Sequence, residues 1–193
     1  MKVPGEIWLP GLAHEPSPNA DDRPPGCEVD LLVIHNISLP PGEFGGGHIR
    51  DLFLNRLDEK THPYFAEIAH LEVSAHLLIR RDGSAQQFVA LNRRAWHAGL
   101  SSFCGRGRCN DFSIGIELEG SDDTPYTAPQ YLRLASLTAE ILALFPAILP
   151  ARIVGHSDIS PGRKTDPGPH FDWSLYREMV AGSEVGGRNT GET

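Results

Sequence analysis

Hydrophobic and polar positions alternate in a few well-marked groups along the chain. Leu31, Leu32, Val33 and Ile34 form an unbroken apolar run, the pattern of a central strand covered on both faces, and the run ends at His35 and Asn36. Phe112, Ile114, Ile116 and Leu118 alternate with Gly115, Glu117 and Glu119, which predicts a strand over 112–119 with one face in the core and the other polar. Residues 75–81 and 84–91 flank Asp82-Gly83, the signal for a tight turn between two antiparallel strands. A short strand is expected over 152–155, ending at His156.

The period then changes. Tyr131, Leu134, Ala135, Thr138, Ile141, Leu142 and Phe145 recur at steps of three and four, behind a Thr127-Ala128-Pro129-Gln130 segment with the form of a capping box and an early proline. Further helices are expected over 48–57 and 173–180. Before the first of them lies PPGEFGGGH, a loop whose three consecutive glycines give it backbone freedom, placed where it could act as a lid. Strands alternating with helices, plus one hairpin, predict an α/β fold: a single domain with a central mixed β-sheet flanked by helices. Residues 1–28, rich in proline, read as an irregular N-terminal arm, 29–181 as the domain, and 182–193 as a flexible polar C-terminal tail.

Composition narrows the function classes. A chain of 193 residues, 40% of them hydrophobic, suffices for one packed core and not for two ordinary domains. A net charge of −8 and the lack of any basic run argue against nucleic acid as a partner. Proline and glutamate interrupt the N-terminal stretch where a leader would be apolar, and no segment approaches the ~20 apolar residues of a membrane span, so a cytoplasmic protein without a membrane partner is expected. Cys27, Cys104 and Cys109 are odd in number and lack a CxxC spacing, as reduced thiols would.

Candidate chemistry begins with two of the nine histidines. His35 and His156 each terminate an apolar strand-like run, and ligand sites in α/β sheets collect at strand ends. Alone, each is read more simply as a core histidine bonded to backbone; as a pair they suggest a site. The loop after His156, SDISPGRKTDPGPHFDW, is stiffened by proline and carries Asp158, Arg163, Lys164, Asp166 and His170. Two imidazoles and one carboxylate would make a three-ligand zinc site with its fourth position open, the catalytic rather than the structural pattern. Spacing does not choose between Asp158 and Asp166, and it leaves His170 open.

The segments LLVIHNISLPPGEFGG, HPYFAEIAHLEVSAHLLIRRDG, RAWHAG, CNDFSIGIELEG, PYTAPQY and GHSDISPGRKTDPGPHFDW, in that order, resemble the AmpD family of 1,6-anhydro-N-acetylmuramyl-L-alanine amidases, within the wider amidase type 2 and peptidoglycan-recognition fold. The match runs from about Pro16 to Val180. It implies one Zn2+ per chain held by His35, His156 and Asp166, with Glu117 rather than Glu119 as the catalytic acid/base and Lys164 facing the developing oxyanion. The implied reaction is hydrolysis of the amide between (1,6-anhydro)-N-acetylmuramic acid and L-Ala of the stem peptide, on a small soluble muropeptide, in cytosolic cell-wall recycling. Asn36, Trp96, His97 and Arg108 are candidate substrate contacts, since an aromatic wall suits a sugar face and an arginine suits stem-peptide carboxylates. Two positions depart from some relatives: Glu72 stands where a basic residue occurs, and Ser157 where a cysteine follows the second histidine. The rival readings are a peptidoglycan-binding module that does not cut and a wall-lytic amidase acting on polymeric murein.

Overall fold

A computed structural model of the chain describes residues 5–186. The tail expected over 182–193 lies outside the described residues from 187 onward. Ten strands and five helices follow in chain order: β1 (Ala13–His14), β2 (Ala20–Asp21), β3 (Leu31–Ile37), α1 (His48–Phe53), α2 (Pro63–Ile68), β4 (Leu77–Ile79), β5 (Ala85–Gln87), β6 (Arg94–Ala95), β7 (Ser102–Phe103), β8 (Arg106–Gly107), β9 (Ser113–Glu119), α3 (Ala128–Leu144), β10 (Ile153–Gly155), α4 (His156–Ile159) and α5 (Trp173–Gly186). Six strands form one mixed sheet in the order β1-β5-β4-β9-β3-β10, parallel throughout except for the β4–β5 hairpin.

Alternation along β3 decides which side of the sheet carries chemistry. Leu32 and Ile34 pack with Ile114, Ile116 and Leu118 of β9 beneath α3 and α5, whereas Leu31 and Val33 pack with Ala98, Cys109 and Ile159 on the other side. His35, next but one after Val33, therefore points to that second face. The helix over 128–144 starts as its sequence predicts: the Thr127 hydroxyl accepts from the Gln130 N–H, and the Gln130 amide oxygen accepts from the Thr127 N–H. Such a cap stabilises a helix by about 1 kcal/mol. A bond between the Thr138 and Tyr176 hydroxyls, 2.7 Å, ties α3 to α5 across a buried seam.

Several expectations shift in register or extent. The hairpin strands shrink to three residues each, although backbone bonds from Arg80 to Ser84 and from Phe88 to His76 carry the pairing a little further. Helix α1 stops at Phe53, ahead of Asn55 in a left-handed conformation (φ 56°). Every residue of β9 is buried, so the face expected to be polar is covered rather than wet: His97 lies over Ser113 and Gly115, and Arg80 and the Gly45 N–H cover Glu119. Helix α2, absent from the periodicity reading, begins where the His62 ring accepts from the Tyr64 N–H and Pro63 takes the first turn. The N-terminal stretch supplies β1 to the main sheet and β2 to a ribbon with β6. Arg23 plugs it to the domain, donating to the carbonyls of Asn110, Asp111, Leu91 and Ser113 at 2.8–3.2 Å. No described helix is long and apolar enough to cross a membrane.

Candidate metal centre and its cleft

Three side chains meet at the C-terminal ends of β3 and β10. His35 ends the apolar part of β3, His156 follows β10 directly, and Asp166 returns from the loop after α4. His35 Nδ1 lies 3.0 Å from His156 Nδ1 and 3.1 Å from Asp166 Oδ2, and His156 Nδ1 lies 3.0 Å from the same oxygen. All three groups are nearly out of solvent, with Asp166 9% exposed. Among the described residues this is the group of histidine, cysteine and acidic side chains close enough to share one ion. Asp158 is turned elsewhere, its Oδ2 accepting the Gly155 N–H at 2.7 Å to cap α4, and His170 is exposed outside the cluster.

The outer nitrogens explain the inner ones. His156 Nε2 faces the carbonyl oxygen of Ala98 at 3.0 Å, an acceptor only, which favours the tautomer with the proton on Nε2 and the Nδ1 lone pair turned to the cluster. His35 Nε2 is 2.8 Å from His97 Nδ1, and His97 Nε2 is 3.0 Å from the Ser113 hydroxyl, a relay in which each ring donates outward. Burial lowers the His35 pKa to about 4 even though Asp166 works the other way, so the ring is neutral. Burial opposes the charge on Asp166, but its contacts with His156 and His35 outweigh that and hold the carboxyl well below the usual range. Three ligand atoms thus lie about 3 Å apart and face one point, an arrangement suited to a cation at its centre. A tetrahedral ion with bonds of about 2.0–2.1 Å sets its ligands roughly 3.3 Å apart, so the donor set fits zinc with a small opening.

Beside this cluster, Glu117 stands on β9 in register with His35. It is 9% exposed, and its Oε2 has no hydrogen-bond partner. Burial, reinforced by the charge of Asp166, raises its pKa well above the ordinary value, while Lys164 pulls the other way. Glu119, two residues on and on the same face, is fully engaged: Arg80 at 3.0 Å and the Gly45 N–H at 2.7 Å reach Oε1, and the Arg81 N–H at 3.2 Å reaches Oε2. The contrast separates two carboxylates that strand alternation alone leaves equivalent. Glu119 anchors the glycine loop to the sheet, and Glu117 is the carboxylate left free to handle a proton.

A cleft of about 360 Å³ opens over the cluster, lined by Asp166, His156 and Glu117, by exposed Lys164, and by Trp96, Tyr64 and Ile68 as apolar surface. A second, polar pocket shares Asn36, Lys164 and Asp166 and extends past Asp122. Asn36 donates to Asp122 at 2.8 Å; Trp96 donates through Nε1 to Asp21 at 3.2 Å. His97 borders the cleft while bonding to His35. Arg108 is not brought to it: its side chain is 75% exposed, pairs with Asp111 at 3.2 Å, and lines neither pocket. The α2 wall escapes the sequence reading because only His62-Pro63 marks it. Asp122 escapes because nothing in SDDT distinguishes it from a surface turn.

Comparison with known proteins places these residues in context. Residues 25–169 match the N-acetylmuramoyl-L-alanine amidase family. The chain is 57% identical over 176 residues to the 1,6-anhydro-N-acetylmuramyl-L-alanine amidase AmpD of Enterobacter cloacae, covering 91% of this chain and 94% of that protein. Among solved structures it is similar to a selenomethionine AmpD crystal structure, with a TM-score of 0.88, 55% identity, and 93% and 99% of the two chains covered. It is also similar to the E. coli amidase AmiD in complex with anhydro-N-acetylmuramic acid-L-Ala-D-γ-Glu-L-Lys, with a TM-score of 0.59, 28% identity, and 81% and 60% of the two chains covered.

Proposed function

The chain belongs to the N-acetylmuramoyl-L-alanine amidase family and is such an amidase, and from that premise we propose that it hydrolyses the amide joining (1,6-anhydro)-N-acetylmuramic acid to L-Ala of a soluble muropeptide, with zinc, in the cytoplasm. The observation that carries the reading is the convergence of His35 Nδ1, His156 Nδ1 and Asp166 Oδ2 beside the partnerless Glu117 Oε2. The 57% identical relative is named for the anhydromuramyl amide, which supports the same substrate here. Three free thiols, Cys27, Cys104 and Cys109, suit a reducing compartment.

His35, His156 and Asp166 would hold the ion. Zinc, when bound, supplies Lewis acidity, polarising the amide carbonyl and lowering the pKa of a water toward ~7. Glu117 Oε2 takes the proton of the attacking water and delivers it to the departing L-Ala nitrogen, one group serving as base and then acid. Its burial and raised pKa suit both halves of that task. Lys164, exposed at the rim and lining both pockets, brings a mobile cation to the oxyanion. Trp96 and Tyr64 offer flat apolar surface to the sugar, and Asn36 offers a polar edge to the peptide.

The test is to incubate metal-loaded and chelator-stripped protein with anhydromuropeptide and with intact murein sacculi and to assay free stem peptide. Metal-dependent release from the anhydro fragment, in preference to murein, is expected. Equal release from murein would replace the recycling reading with a wall-lytic one. Binding without release would leave the free carboxylate of Glu117 without a purpose and overturn the mechanism.

A further inference from the structure

The two metal histidines take their aim from adjacent residues. An imidazole ligand is oriented by what its outer nitrogen bonds, and here His35 Nε2 bonds the His97 ring while His156 Nε2 bonds the Ala98 carbonyl. The path of the chain through His97 and Ala98 therefore bears on both rings at once. That path is itself held by one side-chain atom. Asn110 Oδ1 accepts the backbone N–H of His97 at 3.1 Å and of Ala98 at 2.8 Å.

Asn110 is well placed to be a fixed point. It sits in the short 3₁₀ turn Cys109–Asp111 that leads into β9, the strand that carries Glu117. Buried Cys109 anchors the turn from one side, its N–H bonded to the Ser101 hydroxyl at 3.1 Å. From the other side the buried guanidinium of Arg23 donates to the Asn110 carbonyl at 3.0 Å. Arg163 braces the far end of the peptide, donating to the Ala98 and Leu100 carbonyls at 2.8 Å each. Gly115 completes the cradle: a Cβ there would lie 2.5 Å from the His97 ring, so the ring rests directly on β9 backbone.

We infer that Asn110 is a positioning residue for the metal centre, acting through the His97–Ala98 segment on both His35 and His156. Nothing places Asn110 in contact with the cleft, so its effect falls on how firmly and in what geometry the ion is held. Without its oxygen two N–H groups lose their acceptor, and the segment that orients both imidazoles is held less firmly.

This inference rests on the zinc reading above, and the experiment separates the two. Zn2+ affinity is measured by competition with a chromophoric chelator, and ligand geometry by the visible bands of the Co2+-loaded protein, for wild type, Asn110→Leu and Asn110→Asp. Asn110→Leu, which keeps the shape and deletes the acceptor, is expected to bind Zn2+ about 10–100-fold more weakly and to shift the Co2+ bands. Asn110→Asp retains an accepting oxygen and is expected to stay close to wild type. Equal Zn2+ affinity for wild type and Asn110→Leu would overturn the inference, as would an Asn110→Asp variant as weak as Asn110→Leu. Should Asn110→Leu not fold, Asn110→Ser, whose shorter hydroxyl cannot bridge both N–H groups, carries the same expectation. Wild-type protein that holds no metal would instead remove the zinc reading itself, a result visible before any variant is compared.

Discussion

Glu117 lies directly across the β3–β9 ladder from His35, on parallel strands in register. Because side chains of paired residues in a parallel ladder project to the same face, this register alone sets a carboxylate beside an imidazole of the candidate metal centre. Glu117→Gln keeps the shape and removes the proposed base. It should retain zinc and fold normally while kcat falls about 10² to 10⁴-fold, measured by stem-peptide release alongside metal content. Glu119→Gln should behave differently, loosening the Gly45 loop and lowering stability with a much smaller effect on kcat; equal losses of kcat in the two variants would refute the division of roles.

Removal of the ion should loosen the whole second face. Zinc at 100 times its dissociation constant stabilises the native state by about 2.7 kcal/mol, or roughly 5–10 °C in Tm for a chain of this size. Thermal scans with chelator and with added zinc should show that difference for wild type and none for Asp166→Ala, which deletes the oxygen shared by both histidines.

Lys164 is exposed, and among the described residues it bonds through its backbone N–H, which reaches the Ser160 carbonyl at 3.1 Å. Lys164→Met should therefore leave Tm and zinc content unchanged while kcat drops about 10² to 10³-fold, the usual cost of losing one oxyanion donor. Unchanged kcat would remove it from the mechanism.

Gly115 admits no side chain without moving His97. Gly115→Ala should destabilise the protein by about 1–3 kcal/mol, the range for overpacking, and should also weaken zinc binding, since the displaced ring is the partner of His35. Chemical denaturation and chelator competition read the two effects separately.

Acid should remove the contribution that Asp21 makes to stability. The Arg94 guanidinium, against some opposing burial and with help from the Trp96 indole N–H, holds Asp21 below its ordinary value near 3.8. A carboxyl depressed in the folded state contributes stability that is present above its unfolded pKa and lost as pH falls through the folded one. The Tm advantage of wild type over Asp21→Asn should thus be constant at pH 5–6 and should close below about 3.8. A gap that persists through that range would show that the charge on Asp21 contributes nothing.

The central strands, the capped helix over 128–144 and the strand-end placement of His35 and His156 were all legible in the sequence. Each is written in a local code: side-chain period, capping residues, the point where an apolar run stops. The polar ends of the alternating strand were legible too, but not their roles. Glu117 and Glu119 share one face, and only the approach of Arg80, Arg81 and Gly45 from distant parts of the chain neutralises one and leaves the other free. Likewise spacing treated Asp158 and Asp166 alike, whereas the fold turns Asp158 back onto its own helix cap and brings Asp166 to the histidines. Asn110 carried no signal, because its importance lies in two backbone N–H groups that the chain delivers from more than ten residues away. The sequence by itself determined which elements form and which residue types stand at their ends. Tertiary structure decided which of those residues are partnered, since a hydrogen bond across the fold leaves no period in the chain.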